Sequence, residues 1–129
     1  MKKTILLIED NPQNRYLVQF LLETRGHTIL QAETGPQGLK MAASHRPDLI
    51  LLDIQLPGMD GHAVAQALKN DPQLQSIPIV AVTSYALVGD REKCLAAGAE
   101  GYIEKPIDPE SFGDEVERFL PATLGDMTP

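Results

Sequence analysis

Six polar residues close the short apolar runs of this 129-residue chain. Glu9 and Asp10 follow TILLI, and Asp53 follows LILL. Thr83 ends PIVAVT with Ser84 behind it, and Lys105 follows GYIE. A carboxylate at the tip of an apolar strand is costly unless something compensates it. Two carboxylates about 4 Å apart repel by about 4 kcal/mol at an effective dielectric near 20. They must protonate, spread or take a cation, and Lys105 can neutralise only one of them. Two or three carboxylates with open water positions favour Mg²⁺ over Ca²⁺, and the backbone carbonyl of Gln55 could add another oxygen. Such a metal beside a lysine and a hydroxyl suits phosphoryl chemistry, with Asp53 a candidate nucleophile. The bland alternative is that these acids are helix caps and solvated loop charges. Asp10, close to a helix start, fits that description best.

The polar residues converge only if the runs that carry them lie side by side. TILLI (4–8), TILQA (28–32), LILL (49–52), PIVAVT (78–83) and GYIE (101–104) read as strands, each followed by a helical pattern. Asn11 reads as an N-cap with Pro12 at the first helical position. Leu17, Phe20, Leu21 and Leu22 form that helix's apolar face, and Gly26 ends it. Thr34 caps a second helix bearing Leu39, Ala42 and Ala43, and Asp60 caps a third with Val64 and Leu68 turned inward. A fourth helix covers Leu87 to Ala97, closed by Gly98. Asp108 and Pro109 open a fifth, with Phe112, Val116, Phe119 and Leu120 at helical spacing. Alternating strands and helices predict an α/β fold: a doubly wound, five-stranded parallel sheet of order 2-1-3-4-5, flavodoxin-like. Ligands of such sheets bind beyond the carboxyl ends of the strands, where strand order reverses, here between the first and third. Residues 1–120 are expected to form the domain, and 121–129 a loose tail.

Composition narrows the function further. A net charge of −7 argues against a nucleic-acid or anionic-lipid partner. No apolar run approaches the length of a membrane span. The lysine-led start MKKTILLIEDN lacks a signal-peptide cleavage site. A single cysteine, Cys94, excludes an internal disulfide and fits a reducing cytoplasm, most simply as a small buried helix residue. The histidines His27, His45 and His62 lie far apart and read as surface or boundary residues rather than metal ligands. There is neither a dinucleotide-binding GxGxxG nor a nucleotide-binding GxxxxGK[ST].

LLIEDNPQNR, DLILLDIQLPGMDG, IVAVTSYA and AAGAEGYIEKPI, in that order and spacing, resemble the receiver domain of two-component response regulators over residues 4 to about 120. The resemblance implies a phosphorelay in which a histidine kinase or histidine phosphotransfer protein donates to Asp53. It implies Mg²⁺, or Mn²⁺ in its place, held by Glu9, Asp10, Asp53 and the Gln55 carbonyl. Lys105, Thr83 and Ser84 would bind the phosphoryl group, with Thr83 and Tyr102 as the switch pair. The Lys105–Pro106 bond matches a peptide that is typically cis in that family. A single-domain regulator is expected, signalling through a protein contact on the face of the fourth helix, fifth strand and fifth helix. Two rivals differ in kind. A haloacid-dehalogenase-like phosphatase needs an acid where Gln55 stands. A phosphorylation-independent pseudo-receiver usually lacks an acid, the acceptor or the lysine.

Overall fold

The structure is a computed structural model that describes residues 2–56, 58–84 and 89–120. Its elements run β1 (Thr4–Ile8), α1 (Pro12–Glu23), β2 (Thr28–Ala32), α2 (Gly35–His45), β3 (Leu49–Asp53), α3 (Gly61–Asn70), β4 (Ile79–Thr83), α4 (Asp90–Ala96), β5 (Gly101–Glu104) and α5 (Phe112–Glu117). The strands form one sheet of order β2-β1-β3-β4-β5, parallel throughout. The expected doubly wound architecture is therefore the one observed. Among the described residues no helix is long and apolar enough to cross a membrane.

The two-residue period of the strands sorts their side chains onto two faces. Leu6, Ile8, Ile50, Leu52, Ile79 and Ala81 pack with Ala42, Val64, Leu68 and Cys94 from α2, α3 and α4. Ile5, Leu7, Leu49, Leu51, Val80 and Val82 pack with Val18, Leu22, Phe112 and Val116 from α1 and α5. Burial on both faces explains why β3 and β4 read as unbroken apolar runs rather than alternating ones. Asn11, Thr34 and Asp60 each cap their helix as the sequence suggests, through side-chain oxygens that accept backbone N–H groups of the first turn. α2 approaches β1 so closely that a Cβ on Gly38 would meet Ile8 Cδ1 at 2.4 Å.

Several local expectations are corrected. β3 runs one residue further and includes Asp53. In α1 the buried residues are Val18 and Leu22, one turn apart, whereas Phe20 lies on the far side, 55% exposed and stacked on Tyr16. α4 begins at Asp90, because Gly89 sits at φ 85, outside the helical region; Leu87 lies outside the described residues. α5 begins at Phe112: Asp108 instead organises a preceding turn, accepting Glu110 N–H on its side chain and Ser111 N–H on its carbonyl. His27 is buried rather than peripheral. Its Nδ1 accepts the Lys3 N–H at 3.2 Å, and its Nε2 meets Glu117 Oε2 at 2.7 Å. The proposed tail, 121–129, falls outside the described residues.

Candidate phosphoryl-acceptor site

Strand parity positions the site. Glu9 continues the alternation of Ile5 and Leu7, Asp53 that of Leu49 and Leu51, and Lys105 that of Ile103. The ladder persists far enough to hold that parity: Glu9 N–H donates to Ala32 O at 2.9 Å, and Lys105 N–H to Thr83 O at 2.8 Å. Three chain-distant groups therefore emerge on the α1–α5 side of the sheet tip. Lys105 Nζ donates to Glu9 Oε1 at 2.7 Å and stands 3.5 Å from Asp53 Oδ2. Asp53 Oδ1 accepts the Gln55 N–H at 2.9 Å, which fixes the carboxylate's rotation. Glu9 Oε2 also accepts the Asn11 N–H at 3.2 Å. The Lys105–Pro106 peptide is cis.

These groups open into a crevice of about 450 Å³ lined by Glu9, Asp10, Asp53, Gln55, Ser84 and Lys105, with the first residues of α1 at its rim. Glu9 and Asp53 are buried, while Asp10 is exposed. A carboxylate oxygen from each of the three lies within 4.8 Å of the other two. Burial first, and then the hydrogen-bonded and repelling Asp53 carboxylate, hold Glu9 above its ordinary pKa, against the opposing pull of Lys105. Three acids and one ammonium leave negative charge uncompensated. That donor set, all oxygen and open to water, fits a small hard dication.

Ser84 Oγ donates to Gln55 Oε1 at 2.7 Å at the crevice mouth. Thr83 behaves differently. It continues Ile79 and Ala81 on the opposite face, is fully buried, and is not among the lining residues. Tyr102 packs on that same face, half-buried, and its hydroxyl donates to Asp90 Oδ2 at 2.8 Å. The site residues thus form two groups: Glu9, Asp10, Asp53, Gln55, Ser84 and Lys105 at the crevice, and Thr83 and Tyr102 behind it.

One contributor was missed from sequence. Arg15 Nη1 donates to the carbonyls of Glu9 at 3.0 Å and Asp10 at 2.9 Å, and Nη2 pairs with Glu33 at 3.0 Å. The guanidinium clamps the backbone of the acidic pair. Its signal is an arginine four residues beyond the Asn11 cap, one turn into the helix and so able to reach back over the loop.

Residues 5–117 match the response regulator receiver domain family. This chain belongs to that family. The receiver is 41% identical over 120 residues to the polar-differentiation response regulator DivK of Brucella anthropi, covering 93% of this chain and 98% of the relative. Among solved structures it is similar to the chemotaxis protein CheY4 of Vibrio cholerae, at 27% identity and TM-score 0.87, covering 93% of this chain and all of that one. It is also similar to the receiver domain of the sensor histidine kinase PA1611 of Pseudomonas aeruginosa, at 34% identity and TM-score 0.84. That alignment covers 92% of this chain and 98% of the other, which has a magnesium ion coordinated in its active-site cleft. The chain is thus a response regulator receiver of two-component phosphorelay signalling.

Proposed function

We propose that this receiver takes a phosphoryl group from a phosphohistidine donor onto Asp53. The observation that carries the reading is the convergence of Asp53, Glu9 and Lys105 at the sheet tip, with Lys105 Nζ 3.5 Å from Asp53 Oδ2. Glu9, Asp10, Asp53 and the Gln55 carbonyl would hold Mg²⁺, or Mn²⁺ in its place. When bound, such an ion neutralises charge on the transferring phosphoryl oxygens.

The chain's own residues do the rest. The Gln55 N–H orients the acceptor carboxylate. An Asp53 oxygen attacks phosphorus, the phosphorus–nitrogen bond breaks, and the electron pair leaves with the donor imidazole. Lys105 stands where it can release Glu9 and pair with the incoming phosphoryl oxygens, and Ser84 lies at the mouth as a further donor. Thr83, buried and outside the crevice lining, would have to move to reach the phosphoryl group, and that movement would open space on the face of the sheet where Tyr102 also packs. Phosphorylation would then act on a two-state equilibrium by its different contacts in the two states.

On this reading the donor is a histidine kinase or histidine phosphotransfer protein. The output is a protein contact on the face of α4, β5 and α5. The protein acts as a single-domain switch, with 1–120 as receiver and 121–129 as a short tail. It is an acceptor with slow self-dephosphorylation rather than a turnover enzyme. Its single buried cysteine fits a cytoplasmic setting.

Mass spectrometry after incubation with acetyl phosphate and Mg²⁺ tests the assignment. The wild type should gain one phosphoryl group, and Asp53→Asn none. Stoichiometric labelling of the variant at another residue would overturn it.

A further inference from the structure

A second cluster of ligating groups lies on the other face of the sheet. His62 is the second residue of α3, and Asp90 and Cys94 stand one turn apart on α4. One donor atom from each of the three lies within 4.8 Å of the other two. We infer that His62, Asp90 and Cys94 form a binding site for a zinc-like transition-metal ion, distinct from the acidic crevice.

The donor geometry supports this. Zinc–sulfur and zinc–nitrogen bonds of about 2.3 and 2.05 Å at a tetrahedral angle place the two ligand atoms about 3.6 Å apart. His62 Nε2 and Cys94 Sγ are 3.6 Å apart before any ion arrives. A nitrogen, a sulfur and a carboxylate oxygen select a borderline-soft ion over the hard dications that suit the crevice. Asp90 is already oriented from outside the cluster, because the Tyr102 hydroxyl donates to its Oδ2 at 2.8 Å. Ligating carboxylates commonly carry such a supporting hydrogen bond. Burial and the Asp90 carboxylate keep the Tyr102 phenol above its usual range, so it remains a donor. Cys94 is 1% exposed, whereas His62 and Asp90 are half-buried and leave a side open for a fourth, water ligand.

Burial and Asp90 push the free thiol up to about 11, so binding displaces its proton to solvent and forms the metal–sulfur bond. An ion held there ties the first turn of α4 to the first turn of α3. Through Asp90 it also bears on Tyr102.

The test is titration of the full chain with Co²⁺ and then Zn²⁺, with excess Mg²⁺ present to compete for the crevice. One equivalent of Co²⁺ should produce a thiolate-to-cobalt charge-transfer band, which one equivalent of Zn²⁺ removes. Asp53→Asn should retain the band. Cys94→Ser should lose it and bind Zn²⁺ at least ~100-fold more weakly, and His62→Gln should weaken binding to a similar degree. Tyr102→Phe should keep the band but weaken binding roughly tenfold. His62→Gln replaces a half-buried side chain and covers the case in which Cys94→Ser does not fold. Absence of a thiolate band in the wild type would overturn the inference. So would zinc affinity unchanged in His62→Gln but lost in Asp53→Asn, which would place the ion in the crevice.

Discussion

Replacing Lys105 by Met removes one positive charge and keeps most of the side chain's aliphatic length. In the wild type Nζ lies 2.7 Å from Glu9 Oε1 and 3.5 Å from Asp53 Oδ2. At an effective dielectric near 20 those separations correspond to gross attractions of about 6 and about 5 kcal/mol. Desolvation of three largely buried groups offsets most of that gain, and removing one partner of a buried pair leaves a net loss of about 3–5 kcal/mol. The loss should depend on pH. The Glu9 carboxyl is held above its ordinary value of 4.5, so the folded state binds this proton more tightly than the unfolded chain does. Its favourable contribution is therefore full below 4.5 and disappears as pH rises through the elevated value. Without Lys105 that value climbs further, because the lysine is what lowers it. Urea melts of Lys105→Met should show the large destabilisation at pH 7.5, a smaller one at pH 5, and partial recovery with millimolar Mg²⁺. Equal destabilisation at both pH values, with and without Mg²⁺, would mean that the lysine stem's packing matters and its charge does not.

Three further outcomes follow from the same geometry. Glu9→Gln removes a carboxylate that burial and Asp53 disfavour in the charged form and leaves Lys105 paired with Asp53, so without Mg²⁺ at pH 7.5 its melting temperature should exceed that of the wild type. The rise that Mg²⁺ produces in the wild type should shrink in the same variant. Gly61→Ala would set a Cβ 2.5 Å from Ile54 Cα and 2.7 Å from the Asp53 carbonyl oxygen. It should cost about 1–3 kcal/mol in chemical denaturation and slow labelling by acetyl phosphate, because the strained backbone carries Asp53, the proposed acceptor. Asn11→Ala deprives the N–H groups of Gln13 and Asn14 of their acceptor and should cost about 1 kcal/mol in denaturant melts.

Much of this protein is determined by its sequence alone, because the signals concerned are local. Five apolar runs, each followed by an amphipathic stretch, specify a parallel doubly wound sheet. Asn11, Thr34 and Asp60 mark helix starts through bonds within their own first turns. Where strands end, acids and a lysine appear, and the fold class alone says that those ends meet. Other features depend on contacts between distant segments. His27 reads as peripheral until Lys3 and Glu117 are brought to its two nitrogens. Phe20 reads as core until α1 settles with Val18 and Leu22 inward. Arg15 acquires its clamp only once the acidic loop folds back over the helix start.

Tertiary structure also separates residues that the sequence lists together. Glu9, Asp53 and Lys105 share one strand parity and meet in the crevice, whereas Thr83 carries the other and lies buried behind it. The physical reason is the two-residue period of a strand: the type of an end residue is written in the chain, but its face is set by register against its neighbours. His62 and Cys94, 32 positions apart, come to 3.6 Å of each other only because α3 and α4 pack on that second face.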